Sequence, residues 1–255
     1  MSQVVYKKED NIAIISIDRP EALNALSRSI VDEIDKLVDQ IQADSDIRCV
    51  VLHSEKNFAA GADIKGMAEC NEEEAKVFSF TPTFNKIEKM PLPVIAAIEG
   101  YALGGGMEFA LTADIRIAAK TAKMGFPEVT LGIFPGAGGT IRAPRICGEA
   151  FAKELIFTGD AVSADRALQM GLVNQVVEEG EALAAAMKMA GRIAKRGTIA
   201  IRMVKDVVAR GIQEPDMEKA IDIETKAWPK LFNTEDQKEG MRAFIEKRKP
   251  VYQNK

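Results

Sequence analysis

Gly100-Tyr101-Ala102-Leu103-Gly104-Gly105-Gly106-Met107-Glu108 is the stretch on which the reading of this chain turns. It follows the apolar run Val94-Ile95-Ala96-Ala97-Ile98 and precedes Phe109-Ala110-Leu111-Thr112-Ala113, so the order is strand, glycine-rich bend, helix. Glycines in succession carry no Cβ, and a ligand can come up against bare backbone there. A helix that starts at these glycines leaves its first N–H groups unpartnered and turns the positive end of its dipole toward the bend. Such a place suits an anion, or an oxygen that is gathering negative charge. Glu108, about one turn into the helix, sets a carboxylate beside it. Close helix–strand packing also uses glycine triplets, and a glutamate near a helix N-terminus is ordinary dipole chemistry. The stretch is not a Walker loop, because no Gly-Lys-Ser/Thr closes it. Nor is it a dinucleotide fingerprint, since Phe109 stands where the third glycine belongs.

Outward from the bend the same rhythm recurs. Val4 to Lys8 and Ile12 to Ile17 read as a hairpin around Glu9-Asp10-Asn11. Ser27 caps a helix carrying Ile30, Val31, Ile34, Leu37, Val38 and Ile41 on one side. Cys49 to Leu52 make a buried strand, and Phe58-Ala59-Ala60-Gly61-Ala62-Asp63 a loop. A single charged helix is expected from Glu72 to Lys89, with Val77, Phe80, Phe84 and Ile87 inward. After the bend come the strand Asp114 to Ala118, an irregular Phe126-Pro127-Glu128, and a second glycine-rich loop, Gly132 to Gly139. Helices from Glu149 and Ser163 and a strand Leu172 to Val177 complete an α/β core with parallel crossovers. From Glu181 the pattern is helical, and beyond residue 197 no strand is visible. Thr234-Glu235-Asp236-Gln237 has the character of a capping box. The apolar surface of this tail (Ile223, Trp228, Leu231, Phe232, Met241, Phe244) calls for a partner, and self-association is the expected use.

The 255 residues suffice for one large core with an appendage, and 47% hydrophobic with 28% charged residues describes a soluble globular chain. No apolar run approaches a membrane span and the first residues are no signal peptide. Cys49, Cys70 and Cys147 are scattered without a Cys-x-x-Cys pair, which points to a reducing, cytoplasmic setting and away from a metal site or a disulfide frame. A net charge of −4 argues against nucleic acid as a partner. The single histidine, His53, ends an apolar strand and reads as structural. Acid–base chemistry here would therefore fall to carboxylates.

An ordered set of segments resembles the crotonase superfamily, the enoyl-CoA hydratase/isomerase family. It comprises Arg19-Pro20 with Leu23 to Leu26, Phe58 to Ile64, Pro93 to Ala97, Gly100 to Glu108, Pro127-Glu128, Leu131-Gly132, Pro135 to Thr140, Gly171 to Val173, and Phe244 to Lys249. The resemblance implies a right-handed spiral of β-β-α units over residues 1–196 and an all-helical region over 197–255 that builds homotrimers, often paired into homohexamers. It also implies an acyl-CoA thioester substrate and no separate cofactor, coenzyme A being part of the substrate. By resemblance, the Ala62 and Gly105 amides form an oxyanion hole for the thioester oxygen, and Glu108 and Glu128 are the catalytic acids. Ala60, Asp63, Ile64, Lys65, Gly104, Phe126, Gly136 and Lys247 are the implied substrate contacts, Lys247 from a neighbouring subunit. Arg248 is a further candidate for CoA, and Met67, Phe84 and Met90 for the acyl pocket. Two carboxylates sharing a site tend to hold one proton between them, which keeps an acid and a base together. With both glutamates in register the expected reaction is hydration of a 2-enoyl thioester; the alternatives are a double-bond isomerase and a CoA- or RNA-binding scaffold without turnover. The expected acyl group is short- to medium-chain; Phe126, Met107 and Ile141 depart from common hydratase residues (glutamine, cysteine and glutamine), and the first two adjoin the glutamates, which leaves branched or cyclic groups open as well.

Overall fold

A computed structural model describes residues 2–255, apart from the side chain of Val77. The strands are β1 (Val4–Glu9), β2 (Ile12–Ile17), β3 (Cys49–His53), β4 (Val94–Ile98), β5 (Tyr101–Leu103), β6 (Ile115–Ala119), β7 (Lys123–Gly125), β8 (Val162–Ser163) and β9 (Gln175–Val177). The core helices are α1 (Arg28–Ala43), α2 (Glu72–Val77), α3 (Thr81–Glu88), α4 (Gly105–Ala110), α5 (Gly139–Cys147), α6 (Glu149–Thr158), α7 (Ala164–Gln169) and α8 (Ala182–Ala194). α9 (Thr198–Gln213), α10 (Met217–Ala227) and α11 (Glu235–Ile245) form the tail.

The main sheet runs β1-β2-β3-β4-β6-β9. The β1–β2 hairpin is antiparallel and every later pair is parallel. Alternation explains why its middle strands are apolar at every position. Ile15, Val50, Leu52, Val94, Ala96 and Ile98 face the large core, while Ile14, Cys49, Val51, Ile95, Ala97 and Ile117 meet α8. α8 turns Ala182, Ala186 and Ala190 to the sheet, and these small side chains let it lie close. Glu99 holds the start of α8, accepting from the amides of Gly180 (3.2 Å) and Ala182 (3.0 Å).

A second sheet, β5-β7-β8, lies outside the sequence reading because its strands are only three, three and two residues long. The glycine bend is itself one of them: Gly100 (φ 51°) turns the chain from β4 into β5, and Gly104 (φ 50°) turns it from β5 into α4. Bridges Ala59–Ala102 and Leu26–Ala62 continue this layer through the preceding turns of the chain. Successive turns therefore place one strand in each layer and then a helix, which is the expected spiral of β-β-α units.

Two expectations are corrected, and one helix is added. The helix expected over Glu72 to Lys89 is two helices, α2 and α3, because Pro82 lacks an amide hydrogen and fits only the first turn of a helix. Phe80, Phe84 and Ile87 do point inward, whereas the side chain of Val77 falls outside the described residues. α5 begins on the last residue of the expected glycine loop and runs through a stretch with no expected element, because Gly139 at its start and Pro144 inside it hide a helix from propensity reasoning. The strand expected over Leu172 to Val177 pairs only from Gln175; Leu172 and Val173 turn into the core instead.

The Ser27 cap is present, its hydroxyl accepting from Ile30 N at 3.3 Å. Thr234 caps α11 by accepting from Gln237 N at 3.1 Å, without the reciprocal half of a capping box. No helix among the described residues is long and apolar enough to cross a membrane.

Candidate active site

Register carries residue 128 to residue 104. Leu103 pairs with Gly125 across β5 and β7, and Gly104 N donates to Gly125 O at 2.9 Å. Pro127 then opens a 3₁₀ turn, Pro127–Leu131, that brings Glu128 against the bend. A methyl group built on Gly104 would lie 2.8 Å from Glu128 Oε1 and push that carboxyl aside, and the φ of 50° there itself favours glycine.

Two loops meet at the first turn of α4. The 58–63 loop is strapped from behind by residues 19–26: Ala60 N donates to Leu23 O (3.1 Å), Leu26 N to Gly61 O (2.8 Å), and Asp63 N to Leu26 O (2.7 Å). Asn24 ties the strap down, its side-chain amide donating to Asn57 O at 2.6 Å. In this parallel bridge the amide of Ala62 points away from Leu26. Neither the Ala62 nor the Gly105 N–H donates to another group among the described residues. A methyl group built on Gly105 would sit 3.5 Å from Ala62 N. Two free amides, one from a loop and one from a helix start, thus lie side by side. At the next residue of α4, a Cβ on Gly106 would collide with the Ala59 carbonyl of the same loop, so its absence sets the approach of helix and loop. Stacked rings fix the buried face: Phe109 packs on Phe58 (centroids 5.5 Å apart) and on Phe84 (5.6 Å).

The two glutamates have different surroundings. Glu108 is 3% exposed, and its Oε1 accepts from Ala137 N and Gly139 N, each at 2.7 Å. Burial pushes its carboxyl above the usual range, while the two amides and the Arg142 guanidinium pull it back. Glu128 Oε2 is buried with no partner. Burial, with a further push from the charge of Glu108, raises the Glu128 carboxyl to about 7. The pair is therefore asymmetric in its surroundings: two amides and a cation favour the charged form of Glu108, while Glu128 has an unpartnered buried oxygen.

The other expected residues divide. Gly104 borders the Glu128 carboxyl, and Gly136 lies in the loop that feeds Glu108, its carbonyl accepting from Thr81 Oγ1 at 3.3 Å. Ala60 is half-buried in the 58–63 loop, and Ile64 and Lys65 are exposed just past it. Asp63 is engaged internally, pairing with Arg19 at 3.0 Å and capping the turn at Lys65. Phe126, expected to touch substrate, is fully buried, with its ring beneath Gly139; Phe84 and Met90 are likewise core. Met107 is also wholly buried, so neither it nor Phe126 reaches an acyl group, and the motive for a cyclic or branched substrate falls away. Lys247 is exposed beyond α11 and makes no ion pair among the described residues, whereas Arg248 is bound to Glu239 and Glu246. Ala137, Gly139, Asn24 and Arg142 escaped as site residues, because the first two act through backbone and the others through contacts distant in sequence. Among the described residues no cluster of three or more His, Cys, Asp or Glu stands ready for a metal, and the three cysteines are free.

The family model for enoyl-CoA hydratase/isomerase matches residues 7–255. The short-chain-enoyl-CoA hydratase of Clostridium acetobutylicum is 44% identical over 98% of this chain and 97% of its own. The crotonyl-CoA hydratase of Syntrophomonas wolfei is 44% identical over 99% and 98%. A solved enoyl-CoA hydratase from Bacillus anthracis superposes with a TM-score of 0.96 at 40% identity, covering 100% of both chains. The chain belongs to the enoyl-CoA hydratase/isomerase family.

Proposed function

We propose that this protein is an enoyl-CoA hydratase, adding water reversibly across the 2,3 double bond of a 2-enoyl-CoA to give the 3-hydroxyacyl-CoA. The observation that carries the reading is the asymmetric glutamate pair beside two unpartnered amides. The amides of Ala62 and Gly105 receive the thioester oxygen, where negative charge gathers in the transition state. Glu108, ionised, takes a proton from water as its oxygen bonds to the β-carbon; the π electrons move toward the thioester oxygen. Glu128 gives its proton to the α-carbon as the thioester carbonyl re-forms. The product has gained one water, and the proton taken up by Glu108 returns to Glu128 through exchange with solvent.

The names of the two relatives favour a short acyl group, crotonyl in the first instance. Coenzyme A arrives as part of the substrate, and no further cofactor enters these steps. In this reading Lys65, just past the amide loop, meets the anionic substrate, and Lys247 joins it from a neighbouring copy. The tail over 197–255 builds the trimer or hexamer, an assignment supported by exposed Val204, Val208, Ile212, Ile221, Trp228 and Phe244 on its helices. A cytoplasmic setting accords with free cysteines.

Offered crotonyl-CoA, the purified protein should remove the conjugated enoyl absorbance and release a 3-hydroxyacyl-CoA. Conversion of a 3-enoyl-CoA to the conjugated isomer without hydration would assign it to the isomerases. Salt-sensitive RNA affinity with neither reaction would make it a binding protein.

A further inference from the structure

Arg142, on α5, is 7% exposed, and four of the five N–H groups of its guanidinium donate hydrogen bonds. Nε and Nη2 donate to Glu88 Oε2 at 3.1 and 2.8 Å, and Nη2 also donates to Asn85 Oδ1 at 2.7 Å. Nη1 donates to Ala137 O at 2.9 Å. That carbonyl belongs to the peptide between Ala137 and Gly138, and the two neighbouring peptides supply the N–H groups that bind Glu108. Gly138 has φ 107°, a conformation open to glycine that lets the two flanking N–H groups converge on one oxygen while the carbonyl between them points elsewhere. A Cβ on Gly138 would overlap Nη1, so the guanidinium lies directly against this peptide.

We propose that Arg142 is a positioning residue for hydration. It pins the Ala137 carbonyl so that the Ala137 and Gly139 amides stay on Glu108, and it holds a positive charge against the peptide between them. The inference rests on the hydratase reading of the same site. The charged or titratable groups facing Glu108 are Glu128, from the 127–131 turn, and Arg142, from α5. Glu88, from α3, lies behind Arg142 and tempers its charge. The 134–139 loop and α4 present no other titratable side chain to it.

The chemistry makes the two partners of this ion pair act in opposite senses. Arg142→Gln removes a cation from beside Glu108, so the acid limb of kcat/KM moves to higher pH. Glu88→Gln retains an acceptor for the guanidinium but removes the charge that offsets it, so the limb moves to lower pH. A role confined to supporting the loop would leave the limb in place or move both variants the same way.

The test is crotonyl-CoA hydration across a pH series for the wild type and both variants, with thermal unfolding to establish folding. Arg142→Gln should lose on the order of tenfold more below neutrality than above it. Coincident acid limbs for wild type and Arg142→Gln, or a limb moved upward in Glu88→Gln, would overturn the proposal. If Arg142→Gln does not fold, Glu88→Gln decides alone, since Glu88 is half-exposed on α3; an unmoved limb then refutes it. A wild type that hydrates nothing overturns the hydratase reading itself, a failure distinct from unmoved limbs in an active enzyme.

Discussion

Replacing Glu128 by glutamine should stabilise the protein while nearly abolishing turnover. The carboxyl sits at about 7 instead of an ordinary 4.5, chiefly because burial disfavours its charged form. Below about pH 4.5 the folded and unfolded chains both hold this proton, so the group contributes nothing to the pH dependence of stability. Between 4.5 and about 7 the unfolded chain releases the proton and the folded chain keeps it, so stability falls as pH rises. Above about 7 the full cost of a buried charge is present. The separation corresponds to about 3 kcal/mol for complete burial, and to about half that for a carboxyl partly in reach of solvent. Glu128→Gln has no proton to release, so its stability advantage should be absent in acid and grow through that window to about 1–2 kcal/mol. Activity should fall on the order of 10²–10⁴-fold, the usual contribution of a positioned acid. Urea unfolding at a series of pH values, with hydration of crotonyl-CoA in parallel, measures both. A stability difference that does not change with pH, or a variant less stable than the wild type above neutrality, would refute the assignment of a buried, protonated Glu128.

Glu108→Gln should behave differently: its amide oxygen can still accept from Ala137 N and Gly139 N, so unfolding stability should stay within about 1 kcal/mol while turnover drops on the order of 10²–10⁴-fold. Gly104→Ala forces a side chain onto φ 50° and against Glu128 Oε1, and should lower kcat with a stability cost of about 1–3 kcal/mol in urea unfolding. Gly106→Ala meets the Ala59 backbone rather than a movable side chain; it should destabilise by about 1–3 kcal/mol and raise KM as the amide of Ala62 shifts. Asp236, 5% exposed, accepts from Gln253 N (2.7 Å) and Asn254 N (3.0 Å); Asp236→Ala should release the C-terminal residues to limited proteolysis while leaving the chemical step intact.

What could be read in advance depended on how local the physics was. The strands β2, β3, β4 and β6 announce themselves because sheets covered on both faces need apolar residues at every position. α1 was legible from its cap and its 3.6-residue stripe. The small sheet was not, since β5, β7 and β8 owe their pairing to neighbours in other turns of the spiral and carry almost no pattern of their own. Glu108 and Glu128 could be named from the segments around them, but their different environments could not. The amides on Glu108 come from residues 29 and 31 positions away, and the Gly104 notch that admits Glu128 depends on cross-strand register. Phe126 and Met107 misled for the converse reason: adjacency in sequence to a site residue says nothing about which way a side chain turns, and both turn into the core.

The same geometry explains why two residues of one type need not be interchangeable. Glu108 rises from the first turn of a helix into the amides of the following glycine loop, a cradle that favours the anion. Glu128 stands on a 3₁₀ turn behind a proline, with one oxygen buried and unmatched, a place that favours the acid. Each environment strengthens the other, because charge on Glu108 raises the cost of a second charge on Glu128. An exchange of roles would require moving the glycine loop from one carboxyl to the other. That loop is held in turn by the bonds from Arg142 to Ala137, Asn85 and Glu88, which tie it to α3 on the neighbouring turn of the spiral. The direction of proton flow is thus set by backbone anchored outside the pocket, and substitutions that leave every pocket side chain in place can still reverse or erase it.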